Sequence, residues 1–198
     1  ALSNNTSLQE LDLRHNNICE KGAEELAKAL SKNTSIQRLY LRYNHIDDKG
    51  SKEIAKMLYN NTSLQELELS YNDIGEKGIE EIAKAMSKNT SLQELDLSGN
   101  KICDKGIELL KNSSLQKLDL NYTGIDNEGA EELAKALLKN TSLQEFELYG
   151  NIISKPIRNK IDTLLERNNK LTKDIWMPIV FNIVLNFPKL PTYVLLDI

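Results

Sequence analysis

SLQELELSYNDI, residues Ser63–Ile74, sets Leu64, Leu67 and Leu69 on one side of a short apolar series that closes on Asn72 and Ile74. The step Leu67-Glu68-Leu69 alternates apolar and polar, the period of a strand with one buried face. The same frame, L-x-x-L-x-L-x-x-N-x-I, is complete again in Leu8, Leu11, Leu13, Asn16 and Ile18. Its first apolar residue recurs at Leu8, Ile36, Leu64, Leu92, Leu115 and Leu143, so the spacing is 28 residues apart from one step of 23. Downstream of each copy the period changes. After Gly22, residues Ala23, Leu26, Ala27 and Leu30 fall at the spacing of one helix face. Six strand-and-helix copies therefore occupy residues 1–168, and residues 169–198 form a tail without the repeat.

Composition narrows the function classes. Of 198 residues, 40% are hydrophobic and 27% charged, which is the balance of a globular chain, and the net charge of −4 comes with no basic block. That argues against duplex nucleic acid as a partner. Two cysteines cannot build a disulfide framework, and no apolar run is long enough to span a bilayer. The opening ALSNNTSLQE has neither a starting Met nor a signal pattern, so targeting information is expected to lie elsewhere.

The 28-residue unit resembles a leucine-rich repeat of the ribonuclease-inhibitor-like subfamily, over more than four-fifths of the chain. The resemblance implies an α/β fold, a right-handed solenoid or horseshoe with a concave parallel β-sheet and convex α-helices. Physics points the same way. A single unit cannot bury both its strand leucines and its helix stripe, whereas stacked neighbours share one core, and a monomer is expected.

Polar columns have structural readings first. Asn16, Asn44, Asn72, Asn100 and Asn151 stand where the chain leaves the strand, and a side-chain amide there can satisfy turn backbone hidden by stacking. Thr123 replaces this amide in the fifth copy, so that turn is expected to be the least well tied. Asn5, Asn33, Asn61, Asn89, Asn112 and Asn140 all begin glycosylation sequons, yet each follows a helix, where Asn suits a left-handed turn. The fourth helical stretch, Gly106–Ser113, is five residues short and should pinch the convex side. The tail Leu171–Ile198 holds the only Trp and reads as an apolar C-terminal cap built by Ile175, Trp176, Ile179, Val180, Ile183 and Val184.

No catalytic group, metal or cofactor is expected. His15, His45, Cys19 and Asp47 lie near one another in the repeat frame but offer too few ligands for a closed metal site, and Cys19 and Cys103 are three repeats apart. The residues flanking the strand leucines face away from the core and vary from copy to copy. Arg14, His15, Arg38, Tyr40, Arg42, Tyr43 and Tyr71 cluster in the first three copies, and Arg and Tyr dominate interface hot spots. Glu68, Asp96 and Asp119 belong to an acidic stretch that continues to Tyr149. These eleven residues are the candidate partner-binding face, and the partner is expected to be a protein with a basic stretch. The function expected is therefore a non-catalytic protein–protein interaction module.

Two further resemblances set alternatives. The same repeat subtype forms the Ran GTPase-activating protein, which implies a regulator of GTP hydrolysis. Leu171, Asp174 and Ile175, followed by Ile179 and Ile183, are similar to the opening of an F-box, which implies a ubiquitin-ligase adaptor. Near-identical copies rich in Asn, Lys and Ile suggest an AT-rich genome, so the expected setting is the cytoplasm, or a host cell for a secreted bacterial effector.

Overall fold

The Leu-x-Leu steps form six strands of three residues each: β1 Glu10–Asp12, β2 Arg38–Tyr40, β3 Glu66–Glu68, β4 Glu94–Asp96, β5 Lys117–Asp119 and β6 Glu145–Glu147. They come from a computed structural model that describes residues 2–172. The strands pair in parallel and in chain order as one sheet. Register follows the repeat without slippage, so Leu11, Leu39, Leu67, Leu95, Leu118 and Phe146 stand side by side. The 23-residue step leaves it intact, with Glu94 opposite Lys117. From β2 to β5 the central leucine is at most 1% exposed, while both flanking residues face the open side.

Between strands the chain crosses through α1 Cys19–Leu30, α2 Asp48–Asn60, α3 Glu76–Met86, α4 Asn127–Leu137 and α5 Lys155–Lys170. Their apolar stripes, such as Ile54, Met57 and Leu58 of α2 and Ile79, Ile82 and Met86 of α3, meet the strand leucines in a single core. In the short fourth copy the crossing is a 3-10 helix, Cys103–Lys111. A 3-10 helix rises about 2.0 Å per residue against about 1.5 Å for an α-helix, so fewer residues cover the same span. The missing turn leaves a groove of about 540 Å³ beside α4, floored by Ile107, Leu110 and Ala136.

Neighbouring repeats are tied by two columns of asparagine. In the first, Asn72 donates from Nδ2 to the Leu41 and Ser70 carbonyls, at 2.8 and 3.1 Å, and its Oδ1 accepts the Asn44 and Ile46 N–H groups at 3.0 and 3.1 Å. Asn44, Asn72 and Asn100 are at most 2% exposed, as a buried polar group with all its partners can be. Thr123 breaks this column, but the loss falls on the turn before its own: its hydroxyl donates to the Leu120 carbonyl at 2.7 Å and its N–H is taken by Asn151, whereas no side-chain acceptor reaches the N–H groups of Asn100 or Ile102 among the described residues.

The second column corrects the sequence reading of the Asn-Thr-Ser segments. Asn61 and Asn112 have φ of −78° and −72°, extended backbone and not left-handed turns. Their side chains are buried and reach back one repeat: Asn61 donates to the Leu30 and Asn33 carbonyls at 2.8 and 3.2 Å and accepts the Ser63 and Leu64 N–H groups at 2.9 and 2.8 Å. Asn33, Asn89, Asn112 and Asn140 repeat this arrangement. An amide enclosed in this way cannot serve as a glycan acceptor. Asn168 adds one further rung, donating to the Asn140 and Leu143 carbonyls at 3.2 and 2.8 Å. Helix α5 therefore continues the ladder and runs through Lys170. The expected apolar cap and the F-box-like segment lie outside the described residues, apart from Leu171 and Thr172.

Candidate protein-binding face

The open side of the sheet ends at a row of tight turns. His15, Tyr43, Tyr71, Gly99, Tyr122 and Gly150 all have positive φ, between 53° and 74°. That region is unfavourable for bulky side chains, so four of the six turns carry local strain offset by what their rings contact. His15 stacks on Tyr43 at 4.7 Å between centroids, and Tyr43 on Tyr71 at 4.8 Å. The strand spacing of about 4.8 Å sets this separation, because each ring belongs to one repeat. At Gly99 the series stops. A Cβ there would lie 2.6 Å from the Tyr71 ring, so the ring covers the glycine. Tyr122 covers Gly150 in the same manner and meets Tyr149 edge-on, at 5.4 Å and 82°.

Three arginines share the first end of the face. Arg14 grips Asp12 with two nitrogens, at 3.0 and 2.5 Å, approaches Glu68 at 3.8 Å and lies over the Tyr40 ring at 5.1 Å. Its hydrogen bond holds the Asp12 carboxyl below the usual range. Arg38 bonds Glu10 at 2.9 Å. Arg42 lies against both Tyr43 and Tyr71, 4.9 and 4.8 Å from their ring centres. Between these cations and the next strands, burial and then neighbouring Glu66 push the Tyr40 phenol upward.

The rest of the face is acidic. Glu66, Glu94, Asp96, Asp119 and Glu147 make no ion pair among the described residues, whereas Lys117 pairs with Glu145 at 3.2 Å. Several of them line a shallow cavity of about 230 Å³ with Tyr40 and Lys117. Burial raises the pKa of Asp119, and Asp96 and Glu147 add to the shift against the Asn121 N–H that it accepts at 2.8 Å. Burial and then Glu94 raise that of Glu66. The convex side differs: lysines there pair with glutamates of the same helix, as in Lys56–Glu53 and Lys84–Glu81, or of the neighbouring one, as in Lys160–Glu131. Negative charge is thus left unbalanced on the sheet side.

Of the sequence candidates, Arg14, His15, Arg38, Tyr40, Arg42, Tyr43, Glu68 and Tyr71 come together at the first end, Asp96 and Asp119 line the acidic middle, and Tyr149 stands at the far end. Tyr122 was not among them, although it shares the turn column with Tyr43 and Tyr71 and pairs with Tyr149. His45 meets Asp73 at 3.3 Å, and Asp47 accepts the Lys49 and Gly50 N–H groups as the cap of α2. Among the described residues no three His, Cys, Asp or Glu side chains are grouped as metal ligands would be, and no helix is long and apolar enough to cross a membrane. Both cysteines are free thiols, and burial raises the pKa of Cys103.

Comparison with known proteins places this architecture. No curated protein matches the chain. The solved structure titled Leiomodin-1 Actin-Binding Site 2 shares the fold with a TM-score of 0.61 at 23% identity, over 89% of this chain and 90% of that one. The tropomodulin C-terminal domain of Caenorhabditis elegans gives 0.58 at 16% identity, over 88% and 92%. A leucine-rich repeat family model matches residues 111–134. The TMOD/LMOD leucine-rich domain model matches residues 1–104, more than half of the chain, and with this repeat ladder the chain belongs to that family.

Proposed function

We propose that the chain is a non-catalytic protein-binding module that takes a protein partner on its concave face and the adjoining turn row. The observation that carries this reading is the contrast between repeating and varying positions. Core leucines and ladder asparagines recur from copy to copy, while the sheet-facing residues change from a cationic and aromatic end to an acidic stretch in which, among the described residues, Glu66, Glu94, Asp96, Asp119 and Glu147 make no ion pair. Such a surface favours a partner that brings a basic segment to β3–β6, because long-range attraction steers and orients the encounter.

Actin is the first partner to test, since the leiomodin module of the same fold is named as an actin-binding site. The period of 28 residues with a helix in most convex crossings supports the ribonuclease-inhibitor-like subtype. The cytoplasmic or host-delivered effector setting rests on composition alone.

The experiment is co-sedimentation with filamentous actin and a fluorescence titration with monomeric actin, using the parent and Glu94→Lys/Glu147→Lys, two exposed carboxylates of the acidic stretch. Parent binding that weakens with salt, and a loss of about tenfold or more in the variant at an unchanged melting temperature, is the expected result. Absence of parent binding to either form removes actin and turns the search to small GTPases and the ligase adaptor. Equal binding by parent and variant removes the acidic stretch and the basic partner segment expected there.

A further inference from the structure

We infer that Arg42 is a carboxylate-recognition site, its guanidinium set to take an Asp or Glu side chain of the protein partner in a two-point ion pair. This rests on the reading that a protein docks on this face, and it adds a second, oppositely charged contact to the basic segment expected at β3–β6.

The three concave arginines differ in one respect. Arg14 is held by Asp12 through two hydrogen bonds, and Arg38 is held by Glu10. Arg42 makes no side-chain hydrogen bond and no ion pair among the described residues, and its Nε is buried without an acceptor. A guanidinium carries five N–H donors and accepts nothing, and a buried donor without an acceptor is destabilising. The Tyr43 phenol stands near enough to favour its charged form as a weak hydrogen-bonding neighbour, with Glu68 adding charge from further off, but neither meets the buried Nε. Glu68 is already engaged by the Ser70 hydroxyl at 3.2 Å and by Arg14 at 3.8 Å.

What holds Arg42 in place is aromatic. Two ring centres within 5 Å of Cζ fix the plane of the fork, and those rings are fixed by their own stack and by the left-handed turns that present them. A cation immobilised in this way loses little rotamer freedom when an acceptor arrives, so binding is not offset by ordering. A planar acceptor with two oxygens matches the fork. The acidic surroundings select among such acceptors: Glu68 and the unpaired carboxylates of β3 and β4 repel a doubly charged phosphate more than a singly charged carboxylate.

The test uses the whole chain labelled with 15N, in which the five arginines give resolvable side-chain Nε–H signals. N-acetyl-glutamate N-methylamide is titrated to about 50 mM, covering the millimolar affinity of one ion pair, with inorganic phosphate as the parallel probe. The expected result is a saturable shift of the Arg42 signal, with Arg14 and Arg38 unmoved and phosphate the weaker ligand. No saturable shift, equal shifts at all three, or phosphate binding more tightly would overturn the assignment. A second arm measures actin binding by Arg42→Gln and Arg42→Lys. If the parent binds, the glutamine variant should lose about tenfold or more and the lysine variant recover only part, since lysine lacks the fork. Parent binding unchanged in both variants refutes the role of Arg42 and leaves the module reading standing. Absence of actin binding strikes the choice of actin, and the titration still decides Arg42.

Discussion

Replacing Thr123 with asparagine should stabilise the protein, because it restores the missing rung of the first amide ladder. In the intact rung at Asn100, Nδ2 reaches the Leu69 and Leu97 carbonyls at 2.9 Å each, and Oδ1 accepts the Asn72 and Ile74 N–H groups at 3.0 Å each. Thr123 supplies a bond within its own turn, to Leu120 at 2.7 Å, and a long one forward to Asn151 at 3.4 Å, but none back to the fourth copy among the described residues. An amide at this position would keep that bond, donate across to the Leu97 carbonyl and accept the N–H groups of Asn100 and Ile102. Each such bond contributes about 0.5–1.5 kcal/mol net, so three give about 1.5–4.5 kcal/mol, reduced to about 1–3 kcal/mol by the cost of fitting the longer side chain into a packed turn. For a chain of this size that is a rise of about 2–12 °C in Tm. Thermal melts and urea unfolding would measure it, and an unchanged m-value would show that only stability had moved. Hydrogen exchange at Asn100 and Ile102 supplies the local readout: both should become as protected as Ile46 and Ile74. A Tm that stays level or falls, or exchange at those two amides that does not slow, would refute the reasoning.

Two other outcomes follow from the geometry. Asp119→Asn should raise Tm by about 1–2 °C at pH 7, the effect of a surface-level change of up to about 0.5 kcal/mol, because it keeps the acceptor for the Asn121 N–H and removes a charge crowded by burial, Asp96 and Glu147. Since the folded pKa of Asp119 is raised, its penalty is complete above that pKa, and stability falls as pH rises through the window between the unfolded and folded values. The advantage of the variant should therefore vanish below about pH 4, where the parent carboxyl is protonated in both states. Gly78→Ala should destabilise by about 1–3 kcal/mol in urea melts, against the usual helix preference for Ala, since the new Cβ would meet Asp48 and Ile74 at 2.8 Å and the Ser51 hydroxyl still closer. Gly22→Ala in the first repeat meets only the half-exposed Ile18 of its own repeat, at 2.5 Å, and should stay within about 1 kcal/mol of the parent. Equal losses at the two glycines would show that inter-repeat packing is not the cause.

The architecture was legible because its information is periodic. One Leu-x-Leu step repeated at 28 residues specifies a strand, its buried face and its neighbour, and the 23-residue step keeps register with the second amide column intact across it, Asn112 still reaching the Asn89 carbonyl. The Thr123 defect was legible for the same reason: a hydroxyl in a column of amides has too few groups to serve two turns. The second amide column was misread. Asn61 and its equivalents lie at positions where a left-handed turn, a sequon and a buried cross-repeat bridge all use the same residue types, and only the backbone direction distinguishes them. Asn168, one period beyond Asn140, carried a signal that the spacing alone would have revealed.

Amino-acid order by itself determined the repeat, the sheet order, the core and which side chains face outward, since each depends on local periods of two and of about 3.6 residues. Tertiary structure alone decided which of those outward residues touch. Left-handed turns aim His15, Tyr43 and Tyr71 into one stack, and Gly99 ends it by offering no side chain to continue. Arg14 and Arg38 find carboxylates while Arg42, in the same column as Arg14, finds two aromatic rings and, among the described residues, no carboxylate partner. Identical residue types at equivalent positions thus differ in their contacts because pairing depends on which side chains the neighbouring repeats bring, which no period within the chain encodes.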